Sequence, residues 1–172
     1  MLAQAILCGA LESEKMSLVP GSIATHKDPV WRERANFVIQ VDLAAFDLDG
    51  FEQLWTRTED QGETREVCCI PFFTYGIALG DHLSWDQASR TVEVIAHSGR
   101  RCIRIVFGDK AVAKARHEEL HGAIIASGAI AELYSEGYWA LDVIDDQHSE
   151  TVVRMLTPWV EDGSFSWEWA DR

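Results

Sequence analysis

The chain has little of what usually announces catalysis, membrane insertion or nucleic-acid binding. Lys and Arg number only 15 against 28 Asp and Glu, a net charge of −13. A phosphate backbone is therefore repelled at long range, which argues against nucleic acid as a partner. No run approaches the ~20 apolar residues of a membrane span. The uncharged stretch Met1–Leu11 lacks a basic n-region, so neither a transmembrane helix nor a signal peptide is expected, although Met16 is a second candidate start. Cysteine is sparse: Cys8, Cys68, Cys69 and Cys102 show no C-x-x-C spacing. That excludes a zinc knuckle and points to a reducing, cytoplasmic setting without structural disulfides. No G-x-G-x-x-G, Walker or G-x-S-x-G pattern occurs, and no cofactor is expected.

What is present is an ordinary globular composition, 47% hydrophobic and 25% charged over 172 residues, enough for one domain or two small ones. Residues 1–32, with Pro20, Gly21 and Pro29 and no sustained period, predict a loosely held N-terminal arm. Residues 33–98 read as a small β-rich unit. Asn36–Leu43 alternates Phe37, Ile39, Val41 and Leu43 against polar positions, the period of a half-buried strand. Strands are expected over 52–58 and 66–70, as a hairpin around Asp60-Gln61-Gly62, and then over 78–85 and 91–96. Five short strands suggest a small, strongly bent antiparallel sheet or barrel.

From residue 99 the pattern changes. Arg101–Phe107 predicts a strand and 110–127 a helix with Asp109 as N-cap and Gly128 as stop. Strands over 131–135 and 138–144 join across Glu136-Gly137. A second helix runs from Ser149, its expected N-cap, to Val160, and a strand over 164–169 carries the stripe Phe165, Trp167, Trp169. The order βαββαβ over 99–172 predicts a ferredoxin-like unit in an α+β protein, with both helices on one sheet face. The other face, carrying Cys102, Arg104 and Val106, is partly apolar. The N-terminal strands could dock there and make one compact domain.

Pro71-Phe72-Phe73-Thr74-Tyr75-Gly76-Ile77-Ala78-Leu79-Gly80-Asp81 resembles a bacterial family of unknown function, domain of unknown function 4265, whose members share Pro-Phe-Phe, then Tyr-Gly, then Ala-x-Gly-Asp between two strands. The resemblance implies a bacterial, cytoplasmic protein and brings no activity with it. Physically, Gly76 and Gly80 permit backbone angles denied to other residues, and Asp81 can bond turn amides. Phe72, Phe73 and Tyr75 supply bulk that must be packed or bound. The segment is either a structural corner or an aromatic-lined ligand site, the latter making the protein a small-ligand sensor.

The one catalytic-looking motif is His117-Glu118-Glu119-Leu120-His121. It matches H-E-x-x-H, in which two helical histidines hold zinc and the glutamate activates water. It would make the chain a metal-dependent hydrolase with metal ligands His117 and His121 and catalytic Glu118. On the helical wheel, however, the pair lies on the flank of the apolar stripe, and no third ligand is placed near it. The leading expectation is a non-catalytic, acidic protein-binding module, an inhibitor or immunity-type protein against a basic partner such as a toxin nuclease. The 64 residues from Asp109 onward carry 13 acidic and 5 basic residues, and Asp142, Asp145 and Asp146 are the expected contacts.

Overall fold

The computed structural model describes residues 18–58, 62 and 64–170, and its ten strands fall into two sheets, accompanied by two α-helices. The first sheet grows around one long alternating strand, β3 (Gly50–Thr58), whose even-numbered residues Gly50, Glu52, Leu54 and Thr56 are all buried. Along one edge it pairs antiparallel with β2 (Phe37–Asp42). Its other edge takes two strands in succession. Parallel β1 (Ser22–Ala24) lies against 50–52, and antiparallel β4 (Thr64–Val67) against 56–58. The hairpin β5 (His82–Asp86) and β6 (Thr91–Ala96) completes the sheet. The sheet curls until β2 comes alongside β6, where Asp42 N–H donates to the Arg90 carbonyl (2.9 Å) and Trp85 Nε1 to the Gln40 carbonyl (3.1 Å). Ile39, Val41, Leu54, Val67, Ile77 and Leu83 fill the curl.

The second sheet has the order β10-β7-β9-β8 with every neighbour antiparallel. Along the chain, β7 (Arg101–Phe107) leads to α1 (Lys110–Ser127), the hairpin β8 (Ile130–Ser135) and β9 (Tyr138–Val143), α2 (Asp146–Glu161) and β10 (Phe165–Trp169). Helix α1 starts on Asp109, whose side chain accepts from Ala111 N–H, and stops at Gly128 with φ 83°, a left-handed value suited to glycine. Both helices pack on one face. Ile103, Ile105, Trp139, Leu141 and Val143 from the strands meet Ala113, Leu120, Ile124, Val152, Leu156 and Trp159 from the helices. No helix among the described residues is long and apolar enough to cross a membrane.

The opposite face of this sheet is covered by the first sheet and its loops. Cys102, Tyr138 and Ala140 join Leu18, Ala24, Leu43, Ile70, Phe72 and Phe73 in one buried cluster. Several sequence expectations change here. Residues 1–17 of the expected arm lie outside the described residues, but 18–32 is built into the fold: Leu18, Ala24 and His26 are buried and β1 adds to β3. Strand β5 begins at His82, not Ala78, because Ala78–Asp81 forms a turn closed by Ala78 N–H on Asp81 Oδ2 (3.0 Å). Helix α2 begins a turn before Ser149. Asp145 is its N-cap, accepting His148 N–H at 2.7 Å, and Ser149 Oγ donates back to the Asp145 carbonyl (3.0 Å).

Candidate functional site

The densest polar chemistry lies between the two sheets. It is assembled from residues 26, 52, 69, 74, 104 and 132, which the sequence scatters over the chain. In β3 the period of two turns Glu52 inward with Leu54, although a carboxylate is costly to bury without partners. Its partners come from the Pro71–Gly76 segment. Phe72 N–H donates to Oε1 (2.6 Å); Phe73 N–H (3.1 Å), Thr74 N–H (2.7 Å) and Thr74 Oγ1 (2.6 Å) donate to Oε2. Three successive amides thus wrap one carboxylate, an anion-binding concavity whose anion is the protein's own.

From the second sheet, Glu132 of β8 reaches across. Its Oε1 accepts Val30 N–H (3.0 Å) and Ile70 N–H (2.9 Å). Between the two carboxylates stands His26, with Nδ1 2.5 Å from Glu132 Oε2 and Nε2 3.2 Å from Glu52 Oε1. All three side chains are closed to solvent, His26 and Glu52 completely. The His26 ring stacks on Phe72 at 4.2 Å and 6°. Because each ring nitrogen faces an oxygen of a carboxylate, which when ionised can only accept, the arrangement is satisfied when both nitrogens carry protons. Burial opposes that charge, but the Cys69 sulfur and the hydrogen bonds to Glu132 and Glu52 outweigh it and raise the His26 pKa well above its ordinary value. Glu52 moves the other way. Burial alone would raise it, yet His26, Thr74 and the Arg104 charge bring it down to about 2.

Arg104 of β7 supplies the second cation. Its Nη2 donates to the Thr74 carbonyl (2.7 Å), and its guanidinium lies 4.2 Å over the Tyr75 ring. Tyr75 OH donates to Glu168 (2.6 Å), whose Oε1 is 3.8 Å from Arg104 Nη1. Tyr138 OH donates to the Phe72 carbonyl. Cys69, beside His26, is buried: burial pushes its thiol pKa up, and its sulfur accepts Trp55 N–H at 3.3 Å. The centre therefore has proton-bearing groups but no exposed reacting atom. Its arrangement joins the two sheets.

The expected corner residues lie here. Phe72 and Phe73 are buried, Phe73 edge-on to Tyr134 at 4.8 Å. Gly76 and Gly80 have φ of 76° and 81°. Asp81 takes Ser98 N–H at 2.7 Å as well as Ala78 N–H. Phe72 and Phe73 are thus packed side chains and do not line an opening. His117, Glu118 and His121 do share a helix, but the His117 ring packs at 4.8 Å from Trp139 and Glu118 is exposed. Among the described residues no group of three His, Cys, Asp or Glu is placed to hold a metal ion. Asp145 and Asp146 are exposed at the start of α2, but Asp142 is corrected. It is buried, 1% exposed, and held by Arg100, whose Nε donates at 2.8 Å with a second bond from Nη2. In β9 it falls in phase with Ala140 and Tyr138 on the seam face, its carboxylate engaged by Arg100 rather than presented at the surface.

Sequence reasoning missed His26, Glu52, Glu132 and Arg104 as a set. The available signal was phase: each strand residue among them stands at an inward position of an alternating strand.

No curated protein matches the chain. Among solved structures, one described as "Novel crystal structure of a hypothetical protein from Neisseria gonorrhoeae" superposes with a TM-score of 0.57 at 19% identity, covering 77% of this chain and 91% of that one. At that identity the likeness shows a shared fold. A family model matches residues 52–167, a span that holds Glu52, the Pro71–Asp81 segment, Arg104 and Glu132. On that match over two thirds of its length, the chain belongs to the family described as Domain of unknown function (DUF4265).

Proposed function

We propose that the protein is a non-catalytic binding module of the cytoplasm that presents its acidic C-terminal part to a basic protein, in the manner of an inhibitor or immunity-type protein. We read its C-terminal half as a ferredoxin-like unit, on the βαββαβ chain order and the strand order β10-β7-β9-β8. The observation that carries the functional reading is the division of the carboxylates. Glu52, Glu132 and Asp142 are buried and fully engaged. Asp145 and Asp146 lie at the surface: Asp145 caps α2, and the Asp146 side chain is 95% exposed with Arg101 3.8 Å away. Exposed like charge of this kind steers encounter more than it adds affinity.

The test is capture of a basic partner followed by association kinetics. Asp145→Asn with Asp146→Lys keeps a residue able to cap α2 while removing surface charge. The on-rate should fall several-fold in this variant, and in the parent as salt rises, because attraction is screened beyond ~10 Å at 0.1 M. Asp86→Lys, on β5 of the first sheet, should leave it unchanged. Failure to recover any basic protein at low salt, or an on-rate indifferent to the Asp145 and Asp146 changes, overturns the reading.

A further inference from the structure

Residues 18–35 run across both sheets as a strap, and the cores of the two sheets are built without them. Among the described residues, the cluster between the second sheet and its helices and the cluster inside the curled first sheet both draw wholly on other parts of the chain. The strap's own buried side chains Leu18, Ala24 and His26 lie at the seam, while Val19, Ile23, Lys27, Asp28 and residues 32–34 are exposed. Strand β1 is three residues long and, among the described strands, pairs with β3 alone. Past it the backbone is held by Val30 N–H on Glu132 (3.0 Å), Trp31 N–H on the Cys68 carbonyl (3.2 Å) and the His26 carbonyl, which accepts from Trp55 Nε1 (3.2 Å). Arg34 adds an ion pair to Glu66 (2.6 Å) from a half-exposed side chain. A segment with so little apolar burial opens at lower free energy than the fold as a whole. The sheets stay bridged when it does, because Ile70 N–H on Glu132 and the Phe72, Phe73 and Thr74 amides on Glu52 come from one segment outside the strap.

His26 fastens the strap to both sheets at once, through Glu52 of β3 (3.2 Å) and Glu132 of β8 (2.5 Å). The other titratable or charged groups around it are the Cys69 thiol, Arg104 of β7 acting through Glu52, and the Tyr134 and Tyr138 phenols, which pack against Phe72. Burial pushes the thiol and both phenols up, and an arginine keeps its charge, so His26 is the group whose charge is lost on going alkaline. A neutral imidazole has one N–H for two carboxylates. One glutamate then faces a ring lone pair in a site closed to water. Lifting the strap relieves this, since both carboxylates keep amide donors from residues 70–74 and gain water. We propose that residues 18–35 form a pH-sensitive strap, which leaves the seam when His26 loses its charge while both sheets stay folded. The strap is separate from the Asp145–Asp146 face of the proposed function and does not depend on it.

Native-state amide hydrogen exchange of the purified full chain tests the proposal, read as protection factors so that the pH dependence of free-amide exchange cancels. At pH 7 the Val30 and Trp31 amides should be at least about a hundredfold less protected than those of β7 and β9, and low urea should hardly change them, because opening the strap exposes little surface. Raising the pH to 9.5 should lower their protection about tenfold or more, with the β7 and β9 amides still the better protected. His26→Gln should produce the same loss at pH 7; if that variant does not fold, the pH series on the parent decides alone. Strap amides as well protected as β7 and β9, or exchanging with the same urea dependence, overturn the proposal, because the strap then opens only when the whole chain unfolds. Strap protection that stays constant from pH 7 to 9.5 overturns it as well, because the charge on His26 is then not what holds the strap.

Discussion

Replacing Glu52 by Gln probes the seam with the smallest steric change. The amide keeps one acceptor, but its NH2 must face either His26 and Phe72 N–H or the Phe73 and Thr74 donors. His26 loses one counter-charge in a site closed to water. Removing one member of a buried ion pair costs about 3–5 kcal/mol, mostly for the charge left behind. The pKa of Glu52 gives a separate figure. A carboxyl brought from 4.5 to about 2 on folding contributes about 3 kcal/mol at neutral pH. The two figures agree, and either is a large share of the ~5–15 kcal/mol that holds a domain folded. Because the folded pKa lies below the unfolded one, this stability is complete above about pH 4.5 and drains as pH falls towards 2. Urea unfolding followed by circular dichroism at pH 7 should therefore show the Glu52→Gln midpoint lowered by about 2 M, and the variant's stability should vary less steeply with pH between 4.5 and 2. A midpoint shift under about 0.5 M, or an acid limb as steep as the parent's, refutes the idea that an ionised Glu52 anchors the seam.

The folded His26 pKa is raised, so its contribution is full below the ordinary value of 6.5 and is lost as pH rises through the folded value. The parent should weaken in urea on going alkaline, and His26→Gln should flatten that dependence. Gly50→Ala should lower the melting temperature sharply, since a Cβ there would meet Leu18 Cδ2 and the Ser22 carbonyl oxygen (2.6 Å). Gly137→Ala should be nearly neutral, because Gly137 is not among the positive-φ glycines and its Cβ would find only Phe107 Cβ at 3.8 Å. EDTA should leave the melting temperature unchanged; a fall of several degrees would reinstate His117 and His121 as zinc ligands.

The second sheet was legible in sequence because its cues are local. Asp109 and Gly128 bracket α1, and the alternation in 101–107 sorts Ile103 and Ile105 from Cys102 and Arg104. The α2 start was misplaced because Asp145 and Ser149 are both good caps one turn apart, and the choice fell to the Asp145 bond with His148 N–H. The parallel pairing of β1 had no such signature. Three residues cannot display a period, and Ala24 and His26 are held by contacts with residues far along the chain. The seam was hidden for the same reason. Pro71–Gly76 displayed its aromatics and glycines, but that its amides serve Glu52 depends on where β3 runs. Glu52, Arg104 and Glu132 look like solvated charges until the two sheets meet.

The central claim is that His26 is a buried imidazolium locked between Glu52 and Glu132, so that the seam holds the two sheets together. Nitrogen-15 NMR of the histidine side chains tests it directly. The account predicts that at pH 7.5 one histidine, lost in His26→Gln, has both ring nitrogens protonated and shows slowly exchanging ring protons. A neutral His26 tautomer at that pH, or a His26 that titrates near 6.5, would contradict it.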